Sequence, residues 1–511
     1  MIDTKALRQK ILDMAIKGKL VPQNPDDEPA SVLLERIRAE KQQLIKEGKI
    51  KKDKNDSIIY KGDDNRYYEK VGSEVKDITD ELPFEIPDNW VWIRLGYIVD
   101  FSQSDTVAAS QINPSSWVLD LEDIEKDSGK LLQRKTFGET QSKSDKHCFF
   151  KGNVLYSKLR PYLNKVIVAD ADGYCTTEIL AFNFGQHIAA QYAKTFFMSP
   201  YFVDYAMDGA YGVKMPRIGS HRGNSALMPL PPYTEQIHLV NRIDELFEQI
   251  DIIEQNQTDI DTLYDEFRKR TLTLAIQGKL VPQNPNDEPA NVLLERIRAE
   301  KKAKLGKKYV DSYIYKSDDN CYYEHIAGRA QDELVEVPFD IPYGWSWCRL
   351  AIFAQVLGGK RIPAGRQLTN ENTGHYYIKV SDMKENTVCL DKLQFVPTDI
   401  YPTISRYIIN KEDVYITVAG TIGRVGTIPN ELDGANLTEN ADRIVIDEID
   451  QHWLVKCLLS DVIQEQIKEA TTKVGQPKLA IARIEKFLIP LPPLAEQKRI
   501  VAKINEIFAM L

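Results

Sequence analysis

ILDMAIKGKLVPQNPDDEPASVLLERIRAE (11–40) recurs as TLTLAIQGKLVPQNPNDEPANVLLERIRAE (271–300), with 24 of 30 positions identical. A match this dense marks a duplicated frame, and an internal repeat constrains the fold before any local pattern does. The pairing extends outward in both directions. SIIYKGDDNRYYE (57–69) pairs with SYIYKSDDNCYYE (312–324), and LPFEIPDNWVWIRL (82–95) with VPFDIPYGWSWCRL (337–350). Similarity then fades across a long stretch and returns at PLPPYTEQIHLVNRIDELF (229–247) and PLPPLAEQKRIVAKINEIF (490–508). The chain is thus two copies of a shared frame, each around a divergent insert, 96–228 and 351–489. In the register of the repeat Leu511 corresponds to Ile250 and Met1 to Asp261, so both termini fall within one interrupted helix. Equivalent sequences bury equivalent surfaces, which predicts a two-fold pseudosymmetric body.

Residues 235–276 contain neither Pro nor Gly. Leu239, Leu246, Ile253, Ile260, Phe267 and Leu274 recur every seven residues, with Ile243, Ile250, Gln257 and Tyr264 as a second row. That spacing predicts a long helix with a coiled-coil seam. Gly278 and Pro282 supply its stop. Equivalent rows appear at Ile500, Ile504, Ile507 and Leu511, and at Leu7 and Met14. An interrupted helix is poorly stable alone, so it is expected to pack antiparallel on the intact one. SVLLERIRAEKQQLI (31–45) and NVLLERIRAEKKAKL (291–305) are amphipathic, and two equal copies suit two equal partners.

Each insert mixes short β-type runs with one helical stretch. NVLYSKL and KVIVADA stand in the first, and YYIKV, DVYITVAG and RIVID in the second; the helical stretches lie near 188–208 and 450–470. The fold class is therefore α+β: two pseudosymmetric α+β domains joined by long helices forming an antiparallel coiled coil. Candidate DNA contacts cluster in loops. In the first insert they are Ser157, Lys158, Arg160, Tyr162, Asn164 and Lys165, then Lys214, Arg217 and Arg222, with His221 beside them reading as solvated. In the second they are Lys360, Arg361 and Arg366, Thr421 and Arg424, and Lys473, Gln476 and Lys478. Arg, Lys, Asn and Gln are what base edges and phosphates require.

The chain has 511 residues, 43% of them hydrophobic, which suits several modules with real cores. No apolar run is long enough to span a membrane and no signal-peptide core follows MIDTKALRQK, so a cytoplasmic protein is expected. Six scattered cysteines form no CxxC pair, and the expectation is reduced, mostly buried thiols. The net charge of −9 argues alone against nucleic acid. Lys130 to Lys165 nevertheless holds nine Lys/Arg against two acids, a local balance of +7.

Catalytic motifs are missing from the sequence. There is no GxxxxGK[ST] phosphate loop, no FxGxG-type cofactor loop and no metal-ligand cluster among seven dispersed His. LPPY (230–233) departs from the (N/D)PPY of amino-methyltransferases at Leu230, which cannot hydrogen-bond a base amino group. A binding protein is favoured. A methyltransferase–nuclease fusion and a coiled-coil scaffold that does not bind DNA stay open as alternatives.

IPDNWVWIRL and IPYGWSWCRL opening each insert, LYSKLRPYLNKVIVA with TTEILAF in the first, AGTIGRVGTIP with NLTENADRIVI in the second, and PLPPYTEQ and PLPPLAEQKRIVAKI closing them form one combination. It resembles the specificity (S) subunits of type I restriction-modification systems over nearly the whole chain. The resemblance implies two target-recognition domains, 76–234 and 331–495. Shared helical regions at 1–75, 235–330 and 496–511 would set their spacing. Each domain would read half of a bipartite double-stranded DNA site. The partners implied are two methyltransferase subunits and, through them, restriction subunits. This chain would bind no cofactor, and S-adenosylmethionine, ATP and Mg²⁺ would belong to those partners.

Overall fold

A computed structural model describes residues 1–48, 56–102, 104–212, 214–472 and 476–510. They form two compact units, Met1–Thr258 and Asp259–Leu511. Each unit is built of the same parts in the same order. In unit 1 these are helix α1 (Thr4–Ile16), α2 (Ala30–Lys46), a three-stranded antiparallel sheet (Ser57–Lys61, Tyr67–Val71, Glu74–Asp77), and an α+β body closed by an antiparallel strand pair. That pair is β1 (Val91–Arg94) against the strand Leu227–Leu230. Helix α3 (Tyr233–Ile276) then runs on into unit 2. There α4 (Ala290–Leu305), the sheet Ser312–Lys316, Tyr322–Ile326 and Glu333–Val335, and the pair Ser346–Arg349 with Leu488–Leu491 repeat the pattern, ending in α5 (Leu494–Phe508). Among the described residues, no helix is long and apolar enough to cross a membrane.

The duplicated motifs owe their residues to packing. Trp90 Nε1 donates to Glu235 Oε2 at 2.9 Å, and Gln23 Nε2 donates to Oε1 at 2.6 Å. Unit 2 repeats this node with Trp345, Glu496 and Gln283 at 3.0 and 2.8 Å. Burial pushes both glutamate carboxyls up, and the Trp and Gln donors act against it. The next residue, Gln236, accepts from Ala189 N–H and donates to Pro231 O; Gln497 does the same with Asp450 and Pro492. PLPPxxEQ is thus a buried polar clamp in which every partner is satisfied, the condition for burying such groups. The Arg of WVWIRL has an equal purpose. Arg94 forks onto Glu69 of the small sheet and reaches Ser225 O, and Arg349 binds Glu324 and Lys486 O. Gly18 and Gly278 take φ of +66° and +68°, and a Cβ there would lie 2.4 Å from Pro87 Cγ and 2.3 Å from Pro342 Cγ. Only glycine meets both demands.

Helix α1 lies antiparallel on the first half of α3. Ile2 N–H donates to Gln257, Arg8 binds Asp251 and Glu254 and stacks 5.0 Å from the Phe247 ring, and Leu12 joins the core with Ile243. In unit 2, Leu272, Ala275 and Ile276 share a core with Ile500 and Ile504 of α5. The heptad seam is not buried throughout, however. Residues 258–270 are exposed, with Ile260, Tyr264 and Phe267 of the seam among them.

The six cysteines are free; Cys175, Cys348 and Cys457 are buried, Cys148 and Cys389 half-buried, and Cys321 exposed.

Candidate nucleic-acid interface

The two inserts share a scaffold although their sequences diverge. In unit 1, β2 (Val154–Ser157) lies between Val166–Val168 and Ile179–Phe182, antiparallel to both. In unit 2, β3 (Val414–Thr417) lies between Val425–Thr427 and Ala441–Ile446, also antiparallel. Registers coincide: Ser157 faces Ile179 as Thr417 faces Ala441, and Val154 faces Val168 as Val414 faces Thr427. β2 and β3 are buried along their full length, as a continuous apolar run requires. Each body also holds one parallel pair, Gly173–Thr176 on Trp117–Leu119 and Ala435–Leu437 on Tyr376–Ile378. Unit 2 adds the strand Ala354–Gly358 on the outer side of Ala441–Ile446.

Candidate loops converge where β2 and β3 end. In unit 1 the turn after Ser157 passes through Arg160 and Asn164, both left-handed with φ of 52° and 50°. Arg160 N–H donates to Pro216 O at 2.7 Å, Ile218 N–H to Lys158 O at 3.2 Å, and Lys158 N–H to Glu178 O at 3.0 Å. Residues 158–165, 214–218 and 178 therefore form one surface. In unit 2 the shorter turn uses Gly420 and Gly423, with φ of 75° and 87°. Leu479 N–H donates to Val418 O at 3.0 Å and Val418 N–H to Asn440 O at 2.8 Å. Lys360 N–H joins Leu437 O at 2.8 Å, bringing in the loop after Gly358. Bridges Leu159–Arg217 and Ala419–Lys478 occupy the same place. By register, Arg217 corresponds to Lys478 and Glu178 to Asn440.

The side chains divide by what they touch. Ser157 and Asn164 are buried and face inward, Ser157 Oγ donating to Leu159 O and Asn164 Nδ2 to Met198 O. Lys165 Nζ donates to Leu121 O, and burial lowers its pKa. Arg217 is paired with Glu178, Arg361 with Glu439, and Arg366 with Asp399. Arg222 stacks 3.7 Å from the Tyr205 ring centroid and pairs with Asp208 on the wall of a 750 Å³ cleft that it shares with Arg94 and His221. Arg424 is exposed and donates to Met383 O. Thr421, Tyr162, Lys214, Lys360, Gln476 and Lys478 are also exposed, and Arg160 and Lys158 are half-buried. Among the described residues Lys214, Lys360, Arg424 and Lys478 make no ion pair. Lys473 lies outside the described residues.

The +7 stretch is largely neutralised in the folded chain. Lys130 pairs with Asp251, Arg134 with Asp170, Lys135 with Glu122 and Asp123, and Lys146 with Asp120. All five of those acids lie outside 130–165, so charge summed along the sequence overstated the local field. Sequence reading also missed Glu178, Asn440 and Asp442, which sit among the converging loops. Asp442 is buried, and burial raises its carboxyl to about 6 while Lys478 opposes the shift. All three fall within TTEILAF and NLTENADRIVI; Glu178 and Asp442 are acceptors, so donor chemistry does not single them out. Among the described residues no group of three or more His, Cys, Asp or Glu is placed to hold a metal ion.

Known proteins share these features. The family described as Type I restriction modification DNA specificity domain matches residues 342–510. The EcoAI specificity subunit of Escherichia coli is 28% identical, over 98% of this chain and 88% of that subunit. The E. coli EcoEI specificity subunit is 26% identical, over 99% and 89%. A solved chain from work on complex assembly and conformational transition of the type I R-M system shares the fold at a TM-score of 0.57 and 18% identity, covering 84% of this chain and 92% of that one. Frame, paired inserts and near-full-length similarity agree: the chain is similar to the specificity subunits of type I restriction-modification systems, and its residues 342–510 match their DNA specificity domain.

Proposed function

We propose that this chain recognises a bipartite double-stranded DNA target, one half-site per insert, and docks the subunits that act on that DNA. Target recognition is assigned to 76–234 and 331–495, and the shared helical regions to 1–75, 235–330 and 496–511. One observation carries the reading. Equivalent loops converge at the same end of the same scaffold in both units, yet hold different side chains, as two readers of different sequences should. The exposed Tyr162, Lys214, Lys360, Thr421, Arg424, Gln476 and Lys478 are the direct contacts, with Lys158, Arg160, Arg217, Arg222, Arg361 and Arg366 beside them. Ser157, Asn164 and Lys165 act by shaping the loop.

Chemistry is assigned to the partners, so the chain itself is non-catalytic and binds no S-adenosylmethionine, ATP or Mg²⁺. Two methyltransferase subunits, with restriction subunits joining through them, fit a frame that offers each surface twice. α2 and α4 support this: Leu33 and Leu34 are buried as Leu293 and Leu294 are, leaving Val32 and Val292 outward on equal faces. Replacing residues 96–228 with another insert tests the reading. One half-site of the methylated motif should change and the other persist. A change in both halves would refute the assignment of one reader to each insert.

A further inference from the structure

Arg217 is held more firmly than any other cation of the first unit's loop surface. Its backbone bridges Leu159 and pairs with Tyr211. Its Nε donates to both Glu178 oxygens at 3.1 and 3.2 Å, and Nη2 donates to Glu178 Oε1 at 2.8 Å. Nη1 donates to Met215 O at 3.3 Å. Glu178 in turn is fixed by its own carbonyl, which accepts from Lys158 N–H. The Arg217 guanidinium holds the Glu178 carboxyl below its usual range, so the pair is ionised at neutral pH.

A guanidinium has five N–H donors in a rigid plane. The side-on carboxylate takes Nε–H and one hydrogen of Nη2, and Met215 O takes one of Nη1. One donor remains on each terminal nitrogen. Donors on the two terminal nitrogens are the kind that read O6 and N7 of guanine in the major groove. The pair is partly open, with 30% of the Arg217 side chain and 26% of the Glu178 side chain exposed. Met215, whose carbonyl Arg217 holds, and the preceding Lys214 are exposed. Unit 2 carries Lys478 and Asn440 at the same registers, a point charge and an amide in place of a braced fork.

We propose that Glu178 is a positioning residue that orients Arg217 to read a guanine in the first half-site. The proposal rests on the DNA-recognition function above. The test uses the full chain assembled with its methyltransferase, scored on a DNA library randomised across both half-sites. The native motif should hold a guanine in its first half. E178Q and R217K should each cut discrimination at that one base by about 5- to 150-fold, the range for losing a bidentate contact. Selectivity in the second half-site should persist in both variants and reports that the chain is folded. Unchanged discrimination in both variants, with a split motif still methylated, would overturn the proposal and leave the function standing. Loss of selectivity in both halves would also overturn it, assigning the pair to the fold. A native complex that methylates no split motif would instead defeat the function on which the proposal rests.

Discussion

Replacing Asp442 with Asn is expected to stabilise the second unit at neutral pH. Asp442 is 4% exposed, on the strand Ala441–Ile446 opposite Gly358. Burial raises its carboxyl from an ordinary 3.8 to about 6, with the Lys478 charge pulling the other way. A raised carboxyl binds its proton more tightly when folded. Its contribution is therefore fully present below pH 3.8 and is lost as pH rises to about 6, staying lost above. A shift of about two units corresponds to about 3 kcal/mol. Asn has no proton to lose, so D442N should gain up to ~3 kcal/mol at pH 7.5 and little at pH 4. Urea denaturation at several pH values measures the difference, and hydrogen exchange of peptides from 414–446 assigns it to the second unit. A variant no more stable than the native chain at pH 7.5, or a gain that does not vary with pH, would refute the reasoning.

Other consequences follow from the duplicated frame and the charges. W90F and W345F each remove one buried donor to a carboxylate, and each should cost about 1.5–3 kcal/mol in denaturation experiments; one silent member would break the equivalence of the two nodes. G18A and G278A force a Cβ against Pro87 and Pro342 at positive φ, and thermal unfolding should show a loss of about 1–3 kcal/mol for each. K214A and K478A should each lower the slope of log K against log salt by about one for DNA binding. K135A, already paired with Glu122 and Asp123, should leave that slope unchanged.

The frame was legible because its duplicated residues meet the same demands twice. Trp90 with Glu235 and Trp345 with Glu496 had to reappear together, since losing either leaves a buried group unsatisfied. The inserts hid their kinship because a strand buried on both faces asks for side chains that can be buried, apolar ones with small hydroxyls bonded to nearby carbonyls. VLYS and VYIT both satisfy that, and the turns beyond differ by one residue. Arg160 and Asn164 take positive φ where unit 2 uses glycine, so composition gives no common signature. The basic loops were visible, but their partners were not. Asp251 and Asp170 quench Lys130 and Arg134 from outside the stretch, and Glu178, an acceptor, carries no donor signature. The seven-residue period marked α3 correctly as a helix, yet Ile260, Tyr264 and Phe267 stand exposed. Periodicity records a face suited to burial and leaves open what covers each turn of it.

The central claim is that this chain selects a split DNA target, and the methylome tests it most directly. A host carrying the chain with its methyltransferase should be compared with one lacking this chain alone. The account predicts that methylation at a single two-part motif disappears with the chain and returns when it is restored. An identical methylome in both strains, with the methyltransferase present, would contradict it.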